Sequence, residues 1–108
     1  MEAINKFKQL IQNKKYYEAH EALEELWFPI RKTKTNYCLI LKGFINGAVS
    51  LELLKRDKIV QSKKVYKTYL KHTNETKFVS IENLYKLEEL KELKEFMTIE
   101  FKKVGYSL

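Results

Sequence analysis

The chain has 108 residues, of which 44% are hydrophobic and 32% charged, and it carries a formal charge of +7. That length suits one hydrophobic core and falls short of two ordinary domains of about 100–150 residues each, while the apolar content excludes disorder throughout. Only three glycines and one proline are present, too little punctuation for a fold of strands and tight turns. The expectation is therefore an all-α protein: one domain over residues 1–108, a bundle of about five helices.

Ile4, Phe7, Leu10 and Ile11 recur at helical spacing, and Asn13 followed by two lysines ends the pattern, which predicts a helix over 2–12. A second helix begins at Tyr16, is rich in glutamate (Glu18, Glu21, Glu24, Glu25) and finishes near Phe28, because Pro29 cannot continue it. Residues 31–35 are polar and offer Thr33 or Thr35 as the cap of a third helix from about Asn36 to Arg56. Its apolar residues, among them Tyr37, Leu41, Phe44, Ile45, Val49 and Leu54, fall on nearly every side, the mark of a helix surrounded by others and hence of the central one. Asp57 suits the N-cap of a fourth helix that presents Ile59, Val60, Val65, Tyr66, Tyr69 and Leu70 and ends near His72. Residues 73–77 read as a loop, Phe78 and Val79 as an extended segment that docks on the core, and Ser80 as the cap of a fifth helix running through Leu84, Leu87, Leu90, Phe96, Met97 and Phe101.

Cys38 is the single cysteine and sits in an apolar run, which points to a buried, inert thiol in a reducing compartment. The first residues lack the basic and apolar regions of a secretory signal, and the longest apolar segment, residues 37–54, is interrupted by Lys42, Asn46 and Glu52. A cytoplasmic protein without a membrane span is expected. No Gly-rich phosphate loop, CxxC pair, HExxH or Gly-x-Ser-x-Gly occurs. The lysines run from Lys6 to Lys103 interleaved with fourteen acids, so basicity alone does not single out a polyanionic partner.

One polar constellation stands out. At about 100° per residue, Ala19, Ala22, Leu23, Leu26 and Ile30 form the core arc of the second helix, and His20 and Trp27 lie at its edge with Glu24 between them. Glu18 and Glu25 point to solvent. A histidine and a carboxylate four residues apart can share a proton or hold a divalent metal, with Glu21 nearby; closing such a site needs further ligands, and His72 is the only other histidine. The blander reading makes His20 a partly buried residue bonded to Glu24 with Trp27 packed beside it. On the third helix Lys42, Asn46 and Ser50 share a face, and Gly43 and Gly47 allow a close backbone approach. Lys42 requires a carboxylate if buried, for which Glu24 is the natural partner, or else extends its stem to the surface. His20, Glu21, Glu24, Trp27, Lys42 and Asn46 together make a candidate polar pocket between helices two and three.

In these residues the chain resembles a prokaryotic family of small all-helical proteins designated domain of unknown function 309. The stretch Tyr17-Glu18-Ala19-His20-Glu21-Ala22-Leu23-Glu24-Glu25-Leu26-Trp27 is similar to the family's F/Y-E-A-H-E-x-x-E-x-x-W signature, and Leu41-Lys42-Gly43-Phe44-Ile45-Asn46-Gly47-Ala48-Val49 to its L-K/Q-G-L-I-Q-x-A-A helix. The family often carries a histidine near the end of that helix followed by Gly-Asn, where this chain has Glu52-Leu53 and then Asp57-Lys58. The resemblance implies a helical fold and no established activity.

Three functions compete. The first is a non-catalytic binding or scaffolding module, its helices two and three resembling one tetratricopeptide-like hairpin, with a protein or small-molecule partner and no cofactor. The second is a metal protein or hydrolase-type enzyme using His20 and Glu24, with Glu21, Lys42 and Asn46 as auxiliaries. The third is nucleic-acid binding through Lys63, Lys64, Lys67 and Lys71 on helix four, where Tyr66 and Tyr69 alternate with the lysines; no base-reading motif accompanies them, and the tyrosines suit the core. The first reading is preferred.

Overall fold

The computed structural model describes residues 2–106, so Met1, Ser107 and Leu108 of the expected domain lie outside the described residues. The helices are α1 (Glu2–Gln12), α2 (Tyr16–Trp27), α3 (Asn36–Lys55), α4 (Ile59–His72), the single turn α5 (Glu75–Phe78) and α6 (Leu84–Lys103). A 3-10 turn at Phe28–Ile30, with Pro29 near its start, follows α2, and no strand occurs among the described residues. The all-α class and the five long helices follow the hydrophobic periodicity.

Helix α3 is the centre. Ile40, Leu41, Phe44, Ile45, Ala48 and Leu51 are buried on it, and they join Phe7 and Ile11 of α1, Ala19 and Leu23 of α2, Tyr69 of α4 and Leu90, Leu93, Met97 and Phe101 of α6 in one cluster. Cys38 is buried in its first turn. By length and composition α3 would also cross a membrane, yet 56% of its apolar window is buried within the bundle, where neighbouring helices use that apolarity.

The two glycines of α3 set how closely α4 can lie. A Cβ at Gly43 would come within 2.8 Å of both His72 Cβ and Thr73 Cγ2 and 3.3 Å of the His72 carbonyl carbon. At Gly47 it would meet the Tyr69 ring at 3.0 Å and the Met97 terminal methyl at 3.1 Å. The missing side chains are thus replaced by the C-terminal end of α4, whose Tyr69 and Thr73 are fully covered.

The helix ends explain how a glycine-poor chain reverses direction. Lys14, Asp57 and Gly105 all take positive φ, at 59°, 60° and 95°. Each sits one residue past a helix C-cap, and the same bond pair recurs: Lys15 N–H to Leu10 and Lys14 N–H to Ile11, Lys58 N–H to Leu53 and Asp57 N–H to Leu54, Tyr106 N–H to Phe101 and Gly105 N–H to Lys102. These are Schellman closures, two of them made without glycine. Asp57 therefore ends α3 and does not cap α4, whose preceding residue Lys58 contributes no side-chain cap. Thr35 caps α3 by accepting from Cys38 N–H.

Two further expectations are corrected beyond α4. Residues 73–77 are not all loop: Asn74 accepts from Thr76 N–H and starts α5, so Phe78 reaches the core from a helical turn and not from an extended segment, while Val79 is exposed. Ser80 does not cap the last helix; Asn83 does, accepting from Lys86 N–H, whereas the Ser80 hydroxyl donates to Lys77 C=O and accepts from Asn36 Nδ2 at 2.6 Å. Asparagine's short amide reaches the orphan N–H groups at both starts. Inside the bundle, Ser62 Oγ donates to Ser50 C=O, Ser50 Oγ donates to Ser62 C=O, and Tyr106 OH lies 2.7 Å from Ser62 Oγ, which ties the chain after α6 to the α3–α4 pair.

Candidate functional site

Helix α2 holds its polar edge as read from the wheel. Ala19, Ala22 and Leu23 are buried, Leu26 and Ile30 are partly so, and Glu18, Glu21 and Glu25 are exposed. His20 lies at the boundary with a side-chain exposure of 18%. Its Nε2 is 3.0 Å from Glu24 Oε1 and its Nδ1 is 2.6 Å from the Tyr17 carbonyl oxygen. With an acceptor at each nitrogen, the ring serves both only when both nitrogens carry hydrogen. Tyr17, 54% exposed, tilts its ring against the imidazole at 5.0 Å.

One helical turn further on, Lys42 of α3 places Nζ 4.4 Å from the centre of the Trp27 ring. A cation over an indole face is a favourable pair worth about 0.5–1 kcal/mol at exposed sites. Lys42 thus meets Trp27, and no ion pair joins it to Glu24 among the described residues. Asn46 is half-buried on the same helix, a turn further along. Of the six expected residues four form two pairs, His20 with Glu24 and Trp27 with Lys42, while Glu21 stands exposed and Asn46 joins neither pair.

The surface around them is divided. His20 borders a cleft of about 200 Å³ between α2 and α3, lined also by Tyr16, Tyr17, Val49, Glu52, Leu53 and Arg56. Glu21 and Glu24 border a different hollow beside Phe28 and Pro29. In the cleft, Arg56 Nε bonds Glu52 Oε2 at 2.6 Å, an i, i+4 pair that orients the guanidinium. Burial pushes the Tyr16 phenol up from its ordinary value, and the charges of Glu100 and Glu52 push the same way, so it stays protonated.

Sequence reading passed over Tyr16, Tyr17, Glu52 and Arg56 as members of this surface. The Glu52–Arg56 spacing was the available signal, since it places both on one face of α3. Among the described residues no three histidine, cysteine, aspartate or glutamate side chains are grouped to hold a metal ion. His72 stands at the end of α4 against Gly43, and His20 would have to surrender one of its two contacts to take a metal. On α4, Lys63, Lys64, Lys67 and Lys71 are exposed, but Tyr69 is buried and Tyr66 stacks on Tyr106 at 4.5 Å, so neither ring stands among the lysines.

No curated protein and no solved structure matches the chain. A family model described as Domain of unknown function (DUF309) matches residues 4–65, the span that contains most of α1, all of α2 and α3 and the first half of α4. With more than half of its length matched, the chain belongs to the DUF309 family.

Proposed function

We infer that the chain is a non-catalytic binding module that takes a protein segment along the α2–α3 edge. The observation that supports this reading is the placement of Tyr17, Trp27 and Arg56 on the two helices, each held by a neighbour: His20, Lys42 and Glu52 respectively. Tyrosine, tryptophan and arginine carry most of the binding energy of protein interfaces, and side chains already fixed in place lose less entropy when a partner arrives. The cleft with Val49 and Leu53 offers an apolar seat beside them. His20 in this reading is an organiser of Tyr17, without a role as base or ligand.

Panning a displayed random-peptide library on the folded protein tests the assignment. Enriched peptides should bind the unaltered chain and lose at least tenfold in affinity on Tyr17→Ala or Arg56→Ala, each of which removes an exposed side chain and should keep the helical spectrum. Enriched peptides that bind both variants undiminished, or a library that yields none, would refute it.

A further inference from the structure

Away from that edge, α5, the following Val79 and α6 border an open cavity of about 450 Å³. Phe78, Val79 and Leu87 form its apolar wall, and Glu75, Lys91, Lys94 and Glu95 are its charged groups, two of each sign. Lys94 differs from the many surface lysines. Its side chain is half-buried, and the amine lies 2.7 Å from Thr73 Oγ1 and 4.4 Å from the centre of the Tyr69 ring. No carboxylate forms an ion pair with it among the described residues. Thr73 is fixed in turn: it is completely buried and its hydroxyl donates to Tyr69 C=O at 2.7 Å.

We propose that Lys94 is a covalent site for a small uncharged aldehyde or ketone, whose alkyl part rests on Phe78, Val79 and Leu87 while its carbonyl carbon meets the Lys94 amine. A half-buried amine without a carboxylate ion pair gives up its proton more readily than a surface lysine, and the neutral form is the one with a nucleophilic lone pair. Burial indeed pulls this amine down to about 8, against a weaker opposing pull from Glu75. On its other side the amine borders a second hollow with Tyr66, Tyr69 and Lys102, and burial holds both phenols up in their neutral form. With the Lys94 amine neutral, Glu75 and Glu95 outnumber Lys91 and disfavour an anion, and the apolar wall selects an alkyl chain. The step is an ordinary condensation. The amine nitrogen bonds to the carbonyl carbon, one N–H hydrogen passes to the carbonyl oxygen to give a carbinolamine, and that oxygen leaves as water with the second N–H hydrogen, forming C=N. Thr73 is a positioning residue: its hydroxyl oxygen accepts from the amine and fixes the nitrogen at the junction of the two hollows.

This site is independent of the α2–α3 edge, so either assignment can fail alone. The experiment treats the whole protein near neutral pH with limiting propanal and cyanoborohydride, which reduces each imine to a stable secondary amine, and maps the alkylated lysines by peptide mass spectrometry. An amine near 8 has a free-base fraction roughly two hundredfold above that of an ordinary lysine, and its lower basicity returns roughly tenfold or more of that gain, so Lys94 should be modified about tenfold faster than the surface lysines. Lys94→Arg should remove that label and leave the rates at other lysines unchanged. Glyoxylate, a charged aldehyde, should show a smaller preference for Lys94 than propanal does. Modification of Lys94 no faster than the exposed lysines, read on the unaltered chain and so independent of how any variant folds, would overturn the proposal, as would equal preference for the two aldehydes.

Discussion

Replacing Gly43 by alanine tests whether the approach of α4 to α3 is a packing requirement. The new methyl would stand 2.8 Å from His72 Cβ and Thr73 Cγ2, and 3.3 Å from the His72 backbone carbon. None of these atoms is the free end of a long side chain, so the helix ends themselves must part. Overpacking costs about 1–3 kcal/mol, and two contacts at 2.8 Å with a backbone carbon behind them place this site at about 2–3 kcal/mol; the better helix propensity of alanine returns about 1 kcal/mol, leaving a net loss of about 1–2 kcal/mol. For a domain of this size the midpoint of thermal unfolding should fall by about 5–10 °C. Gly47→Ala should cost less than Gly43→Ala, because its closest contacts, the Tyr69 ring at 3.0 Å and the flexible Met97 methyl at 3.1 Å, are looser than those at Gly43. Thr73→Ser deletes Cγ2 while keeping the hydroxyl, and adding it to Gly43→Ala should recover part of the loss, a coupling of about 0.5–1 kcal/mol. Thermal unfolding followed by circular dichroism reads the parent, the three single variants and the double variant. If Gly43→Ala is as stable as the parent, or the two substitutions simply add, the contact with α4 does not limit the packing.

Two other outcomes follow from features already described. Lys14 holds φ at 59° in a helix-ending turn, a conformation that glycine adopts without strain, so Lys14→Gly should stabilise by about 0.5–1 kcal/mol, with Asp57→Gly giving less because aspartate tolerates that region better; chemical denaturation would show a loss at Lys14 if the Lys55 bond to its carbonyl depends on the side chain. Stability should rise with pH from about 8 toward the ordinary lysine range near about 10, since burial lowers Lys94 and the unfolded chain therefore binds the extra proton over that window. Above about 10 it should fall again, because burial raises Tyr16, Tyr37, Tyr66 and Tyr69 and the unfolded chain loses those protons first. In Lys94→Met the rise between 8 and 10 should disappear; a profile identical to the parent would show that Lys94 is fully solvated.

Much of the fold could be read from periodicity, because a helix repeats its signal over several turns. The core arc of α2, the all-round burial of α3 and the start of α3 at Thr35 all rest on such repeated or capped patterns. Apart from the single turn α5, too short to show a period, the misreadings fall at single residues where one side chain fits two roles. Asp57 suits an N-cap and also tolerates positive φ, and the α3 carbonyls that needed closing decided for the second. Ser80 and Asn83 both precede an apolar periodic run, and only the three-dimensional reach to Asn36 drew Ser80 away from the cap. At the candidate site, pairs within α2 were legible because helical geometry fixes them. The destination of Lys42 was not, since its long stem can serve Glu24 or Trp27 equally well and only the rotation of α3 against α2 chooses the indole. Lys94 gave no signal at all: in a helix crowded with lysine and glutamate, partial burial by another helix leaves no mark on the sequence.

The contacts of Gly43 and Gly47 also bear on what counts as the modular unit of this family. Both glycines lie inside the matched segment, residues 4–65, but the atoms that fill the space above them belong to Tyr69, His72, Thr73 and Met97. The boundary of the match falls within α4, upstream of every one of those residues. A shared sequence pattern and an autonomous folding unit therefore have different borders here. A segment cut at residue 65 would leave one flank of α3 without its cover, and a design that transplants this helix pair must bring a substitute for the end of α4 and for Met97 along with it.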